Sequence, residues 1–134
     1  MNLKIREQIF KILFSLEFFK NDEVEEQLEN YFENEITATE EEKAEIIDKV
    51  KAILAKREEE DKILSEASEG WSLNRMGSSE REILRIAAYE INFDDNVPAK
   101  VAINEAVELA KKYGSDDAPS FVNGVLAKIV KEDK

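Results

Sequence analysis

The hydrophobic positions recur at three- to four-residue spacing along most of the chain, and no segment shows sustained strand alternation. This period is typical of amphipathic α-helices, so we predict an all-α fold. Gly and Pro are scarce, at four and two, which fits long helical segments. About seven helices are expected, over residues 3–19, 23–34, 40–54, 63–67, 80–91, 98–113 and 119–130.

The segment 71–126 is expected to organise the rest of the fold. Its three helices carry apolar stripes, and small residues in them would let helix axes approach closely. These small residues are Ala87, Ala88, Ala102, Ala106, Ala110 and Gly124. The chain of 134 residues is long enough for one domain with a sizeable core. We therefore predict a single domain, 1–134.

Local signals predict several helix boundaries. Thr39 with Glu42 fits a capping box, and Ser79 with Glu82 fits another. The charged run 57–61 leaves open whether the third helix continues or breaks there. Trp71 lies in the longest connection and is interpreted as a plug on the end of the bundle.

The composition excludes much of the chemistry of enzymes. The chain has no Cys and no His, which removes thiolate nucleophiles, the usual general base and the commonest transition-metal ligands. The acidic pairs 94–95 and 116–117 read as polar turns rather than metal sites. We predict no catalysis, no metal and no cofactor. The longest apolar run is too short to span a bilayer and no secretory pattern is present, so a cytoplasmic location is expected.

Charge is distributed unevenly. The net charge is −12, yet residues 1–20 carry four bases against two acids, whereas residues 21–67 carry 17 acids against 6 bases. The overall field opposes an anionic partner, but a local face can still be positive. The role of the acidic segment is interpreted as solubility.

Two features could bind single-stranded nucleic acid, because aromatic rings near positive charge suit stacked bases. One is the first helix, where Phe10, Phe14 and Phe18 accompany the basic residues. The other is the turn between Tyr113 and Phe121, which has an aromatic residue on each side. On the residues alone, a core or lid role for these two rings is the simpler interpretation.

The sequence resembles the NusB family of bacterial transcription antitermination factors. The matching motifs occur in the same order along the chain and cover the carboxy-terminal half closely. The resemblance is carried by Trp71, Arg75 and Met76, by Glu80 with residues 83–87, by Tyr89 and Glu90, by Val97 and Pro98, and by residues 100–111, Tyr113, Gly114 and 121–126. It implies about seven helices in two packed sub-bundles, at roughly 1–70 and 71–134. It also implies binding of boxA single-stranded RNA, a heterodimer with the ribosomal protein NusE, and entry into an RNA polymerase antitermination complex.

The resemblance also implies site residues by position. The implied RNA-binding set, with Lys11 further along the first helix, is Lys4, Arg6, Lys11, Phe14, Tyr113, Asp117 and Phe121. Glu80 and Arg81 match positions expected on the NusE face. We expect the cationic set and the two rings to share one groove.

This chain differs from the family where basic residues matter. The family typically begins with several consecutive arginines, whereas only Lys4 and Arg6, then Lys11, are present here. Three phosphate contacts give a salt slope of only about −2, so weak RNA binding without NusE is expected. The alternative function is a helical protein–protein module, either a NusE partner or a homodimer, with little RNA binding of its own.

Overall fold

The computed structural model describes residues 3–17, 21–34, 38–68 and 76–132. Trp71 and Arg75 lie outside these ranges, as does Phe18. The described residues form seven α-helices and no strand, which confirms the all-α prediction. The helices are α1 Leu3–Leu16, α2 Val24–Asn34, α3 Glu40–Ala55, α4 Arg57–Ala67, α5 Ser78–Phe93, α6 Ala99–Tyr113 and α7 Ala118–Glu132.

The chain divides into two compact units, Met1–Leu54 and Ala55–Lys134. The division therefore falls earlier than the predicted boundary near residue 70. The physical reason is that α4 packs against α5 and α7 and so belongs with the second unit. Helix α3 ends at Ala55, and α4 begins at Arg57 after a break at Lys56. The third helix therefore does not continue through the charged run 57–61.

The first unit contains α1, α2 and α3. Six apolar side chains of α1 are at most 6% exposed: Ile5, Ile9, Phe10, Ile12, Leu13 and Leu16. Burial of each such side chain contributes roughly 1.5–3 kcal/mol, which makes α1 a main stabilising element. Polar contacts also link the helices, since the Tyr31 hydroxyl donates to Gln8 of α1 and Lys51 of α3 pairs with Glu25 of α2 at 2.6 Å.

The predicted capping box at the start of α3 is confirmed. The backbone N–H of Thr39 donates to Glu42 Oε1 at 3.0 Å, and the N–H of Glu42 donates to Thr39 Oγ1 at 3.1 Å. The second predicted box is wrong. Helix α5 begins at Ser78 with Gly77 as its N-cap and no side-chain cap, while Glu82 is buried and bonds to Arg85 instead.

The second unit is built around α5, which packs against α4, α6 and α7. Seven consecutive residues of α5, 82–88, are buried, so this helix is enclosed on all sides. Helices α6 and α7 pack on each other and on α5. The five predicted alanines are at most 3% exposed, as close packing requires. The prediction is wrong for Gly124, which is exposed.

A buried charged cluster joins α4 to α5. Arg85, 5% exposed, donates to both carboxylate oxygens of Asp61 at 2.7 and 2.8 Å and to Glu82 Oε2 at 2.6 Å. Burial alone would lower the pKa of Arg85, but the hydrogen bonds and charges of the two carboxylates outweigh it and the pKa is raised. No helix within the described residues is both long and apolar enough to cross a bilayer.

Candidate nucleic-acid interface

The turn between α6 and α7 carries the two predicted rings on opposite sides. Helix α6 ends at Tyr113, and the N–H of Gly114 donates to Ala110 O at 2.9 Å. The chain then re-enters a helix at once, because the N–H of Phe121 donates to Asp117 O at 3.1 Å. The predicted turn is therefore confirmed, and both rings are half-buried at its edges.

Gly114 fixes the shape of this turn. A Cβ added there would lie 2.5 Å from the Cβ of Ala118, 2.9 Å from Ala110 O and 3.0 Å from Glu80 Oε1. Two of these neighbours are backbone or the first side-chain atom, which cannot rotate away. Glycine is needed here for the close approach of two helix ends, not for an unusual backbone angle.

Glu80 connects the start of α5 to the same turn. Its Oε1 accepts a hydrogen bond from the N–H of Ser115 at 3.3 Å. A Cβ added at Gly77 would lie 2.3 Å from Glu80 Oε2, so the absence of a side chain there makes room for the carboxylate. The Arg81 side chain instead donates a hydrogen bond to Ser78 Oγ at 3.2 Å. Glu80, predicted for the NusE face, thus lies beside the predicted RNA-binding residues of the turn.

A cavity of about 310 Å³ is formed where α5 and the turn meet. Glu80, Asp117 and Phe121 line it, together with Met76, Gly77, Ser115 and Ala118. The ring offers a stacking surface, and the carboxylates offer acceptors for the amino groups of bases. Tyr113 is not among the lining residues of this cavity, and Lys112 Nζ lies 5.5 Å from the centre of its ring. This arrangement suits the base edges of an unpaired strand better than its phosphates.

The predicted residues of α1 lie in the first unit, whereas those of the turn lie in the second. Arg6 is only 1% exposed and already has an interaction partner, so a phosphate cannot reach it as it stands. Lys11 is exposed, and Phe14 is half-buried with its ring 5.8 Å from that of Phe10. The side chain of Lys4 lies outside the described part of the structure. A groove shared by both sets stays a prediction.

A second cavity, of about 300 Å³, was missed by the sequence reasoning. It lies between the end of α4 and the exposed face of α7, and Ala67, Ser68, Ser120, Phe121, Gly124, Val125 and Lys128 line it. Phe121 lines both cavities. The available signal was the spacing of Ser120, Gly124 and Lys128 at four-residue intervals, which places them on one side of a helix.

These features are typical of a helical binding module, because the described surface offers aromatic rings and hydrogen-bond acceptors at one tightly packed turn. The sequence comparison identifies the family. Residues 3–131 match the NusB family. The chain is 50% identical, over 127 residues, to the transcription antitermination protein NusB of Lachnoclostridium phytofermentans, covering 95% of this chain and 96% of that protein. The chain belongs to the NusB family.

Solved structures agree in fold. The structure of Thermotoga maritima NusB matches with a TM-score of 0.87 and 35% identity, over 97% of this chain and 90% of that one. A chain from a crystal structure of the antitermination factors NusB and NusE in complex with double-stranded RNA matches with a TM-score of 0.81 and 26% identity, over 97% and 96% of the two chains.

Proposed function

We propose that this protein is a transcription antitermination factor that binds boxA RNA together with NusE and promotes full-length transcription of ribosomal RNA. Two relatives support the proposal: one is named for antitermination, and another is described with NusE and RNA. The observation that carries it in this chain is the α6–α7 turn, where Phe121 and two carboxylates line one cavity.

We propose the following roles for the individual residues. Tyr113 and Phe121 stack on bases, and Asp117 accepts hydrogen bonds from base amino groups. Lys11, with Lys4, supplies phosphate contacts. Arg6 acts through its buried position by holding α1 in place. Glu80 holds the turn through Ser115 and, with Arg81, forms part of the proposed NusE face.

The proposal includes the absence of catalysis. Neither Cys nor His is present in the sequence, and the described residues hold no cluster of acidic side chains arranged for a metal ion. Because the proposed ligand is a nascent bacterial transcript, we propose that the chain works in the cytoplasm. As part of an RNA polymerase antitermination complex, it would act by holding RNA and NusE together.

The test is boxA RNA binding by the chain alone and with NusE. With few phosphate contacts, we expect weak binding alone and clearly tighter binding when NusE is added. Phe121→Ala should weaken binding by about 5- to 150-fold, since stacking contributes ~1–3 kcal/mol per base. Phe93→Ala is the matched control, because Phe93 is an exposed phenylalanine of the same unit, 36% exposed, away from the turn.

Two outcomes would contradict the proposal. One is equal affinity for Phe121→Ala and the wild type, measured per folded molecule. The other is tight boxA binding by the lone protein, which would contradict the expected dependence on NusE. A large drop in melting temperature for Phe121→Ala with unchanged affinity would make Phe121 a core residue rather than a base platform.

A second candidate is a helical protein–protein module with little RNA binding of its own. The observation that favours it is the combination of a net charge of −12 with the burial of Arg6. This candidate would be supported if the chain binds NusE with the same affinity in the presence and in the absence of boxA RNA. Sedimentation of the chain alone separates a monomer from a homodimer.

A further inference from the structure

The exposed face of α7 contains a glycine, Gly124, that no contact among the described residues requires. Gly124 lies in the interior of α7, where glycine is less favourable than alanine. It is exposed, and a Cβ added there would meet no described atom within 4 Å. Neither internal packing nor backbone conformation among the described residues therefore demands a glycine. Such a position is typical of a backbone that a ligand approaches closely.

The surroundings of Gly124 form a site rather than a flat surface. The 300 Å³ cavity lies directly against it, with Ser120 one turn before and Lys128 one turn after. Phe121 is the shared wall of this cavity and of the cavity at the turn. A ligand stacked on the Phe121 ring therefore lies next to this face of α7.

The side chains on this face of α7 indicate which kind of ligand it can bind. Ser120 offers a hydroxyl and Lys128 an ammonium group, and both kinds of group bind phosphate oxygens. Lys128 already has an interaction partner, which a phosphate would replace or join. The two residues are eight positions apart, about 12 Å along the helix, which corresponds to roughly three phosphates of a stacked strand. Gly124, midway between them, leaves room for a sugar. No carboxylate lines this cavity among the described residues, in contrast to the cavity at the turn.

We infer that the α7 groove, defined as Ser120, Phe121, Gly124 and Lys128, is a second RNA subsite that holds the sugar–phosphate backbone as the strand leaves the α6–α7 turn. The inference rests on the proposed function. It divides the two cavities by role: base edges are read at the turn, and the backbone passes along α7.

Substitutions at Gly124 test the inference because stability and binding should move in opposite directions. Gly124→Ala is expected to raise the melting temperature by about 2–4 °C while lowering affinity for single-stranded boxA RNA. Gly124→Leu should lower affinity further, by at least about tenfold, since a larger side chain fills the groove. A lower melting temperature for Gly124→Ala would show that the chain needs this glycine internally and would overturn the inference.

Lys128 provides a test through salt. Lys128→Gln should reduce the slope of log affinity against log salt by about 0.7, the value for one phosphate contact to a single strand. Lys100→Gln is the charge-matched control, because Lys100 is an exposed lysine in the first turn of α6 and lies outside both cavities. Equal slopes for the two variants would overturn the inference.

RNA length separates this inference from the proposed function. The wild type and the Gly124→Leu variant are titrated, with NusE present, with boxA RNAs of about 12 and about 6 nucleotides. The penalty should be larger for the longer RNA. If the wild type binds neither RNA, the proposed function fails. If the wild type binds and both Gly124 variants match it, only the α7 groove fails. If the variants lose NusE binding instead, the groove holds protein and the inference is wrong.

Discussion

Removing the guanidinium of Arg85 should destabilise the protein more than any surface change. Arg85→Met keeps a long apolar stem but leaves two carboxylates without their partner. The side chain of Glu82 is 3% exposed and that of Asp61 is 29% exposed, so Glu82 bears most of the cost. Breaking a buried ion pair by removing one partner costs ~3–5 kcal/mol. That is a large share of the ~5–15 kcal/mol that stabilises a typical domain.

Urea denaturation followed by circular dichroism measures this loss, and the melting temperature should fall by about 10–20 °C. The pKa of Arg85 is raised by its partners, so the charged form is retained, and the contribution of Arg85 is lost only as the pH rises through that raised value. The difference between Arg85→Met and the wild type should therefore not depend on deprotonation of the arginine near neutral pH.

Two further variants identify the cause. Lys111→Met removes an exposed pair with Glu108, at 3.0 Å and with side chains 63% and 51% exposed, and should change stability by at most about 1 kcal/mol. Arg85→Met combined with Glu82→Met should be more stable than Arg85→Met alone, because no unpaired charge is left at the most buried position. A loss below about 1 kcal/mol for Arg85→Met, or no recovery in the double variant, would refute the argument.

Two other predictions concern local structure. Gly114→Ala should destabilise the α6–α7 turn by ~1–3 kcal/mol, and adding Ala118→Gly should recover part of that loss, as seen by thermal melting. No recovery would mean that Ala110 and Glu80, not Ala118, set the limit. Thr39→Ala should cost about 1 kcal/mol by loss of its cap, whereas Ser79→Ala, which has no cap to lose, should stay within about 0.5 kcal/mol in the same denaturation assay. Equal losses would contradict the assigned caps.

The sequence was sufficient for the helices because apolar spacing and turn residues act locally. It could not show which of two similar signals forms a cap. Thr39 and Ser79 both precede a glutamate by three residues, but Glu82 pairs with Arg85 in the interior and is not available at the helix end. The expected division between sub-bundles, near residue 70, differs from the division between the compact units at Leu54 for a related reason, since the packing of α4 on α5 and α7 depends on contacts far apart in sequence.

The candidate site shows the same limit. The turn and its two rings followed from the sequence, and the resemblance supplied their expected role. The depth of Arg6 did not follow, because an arginine near the start of a chain is ordinarily exposed. Gly124 was misread because a small residue on a helix serves helix packing and ligand approach equally well. Only its exposure in the structure separates the two.

The carboxylates at the turn restrict how any RNA can lie there. Glu80 and Asp117 repel phosphate groups, so a strand seated in that cavity must point its bases inward and its backbone away. Cytosine, adenine and guanine each carry an exocyclic amino group that can donate to a carboxylate, whereas uracil offers only its ring N3–H. If the proposed function holds, these carboxylates orient the RNA strand and favour bases that carry an amino group, without a strongly basic surface.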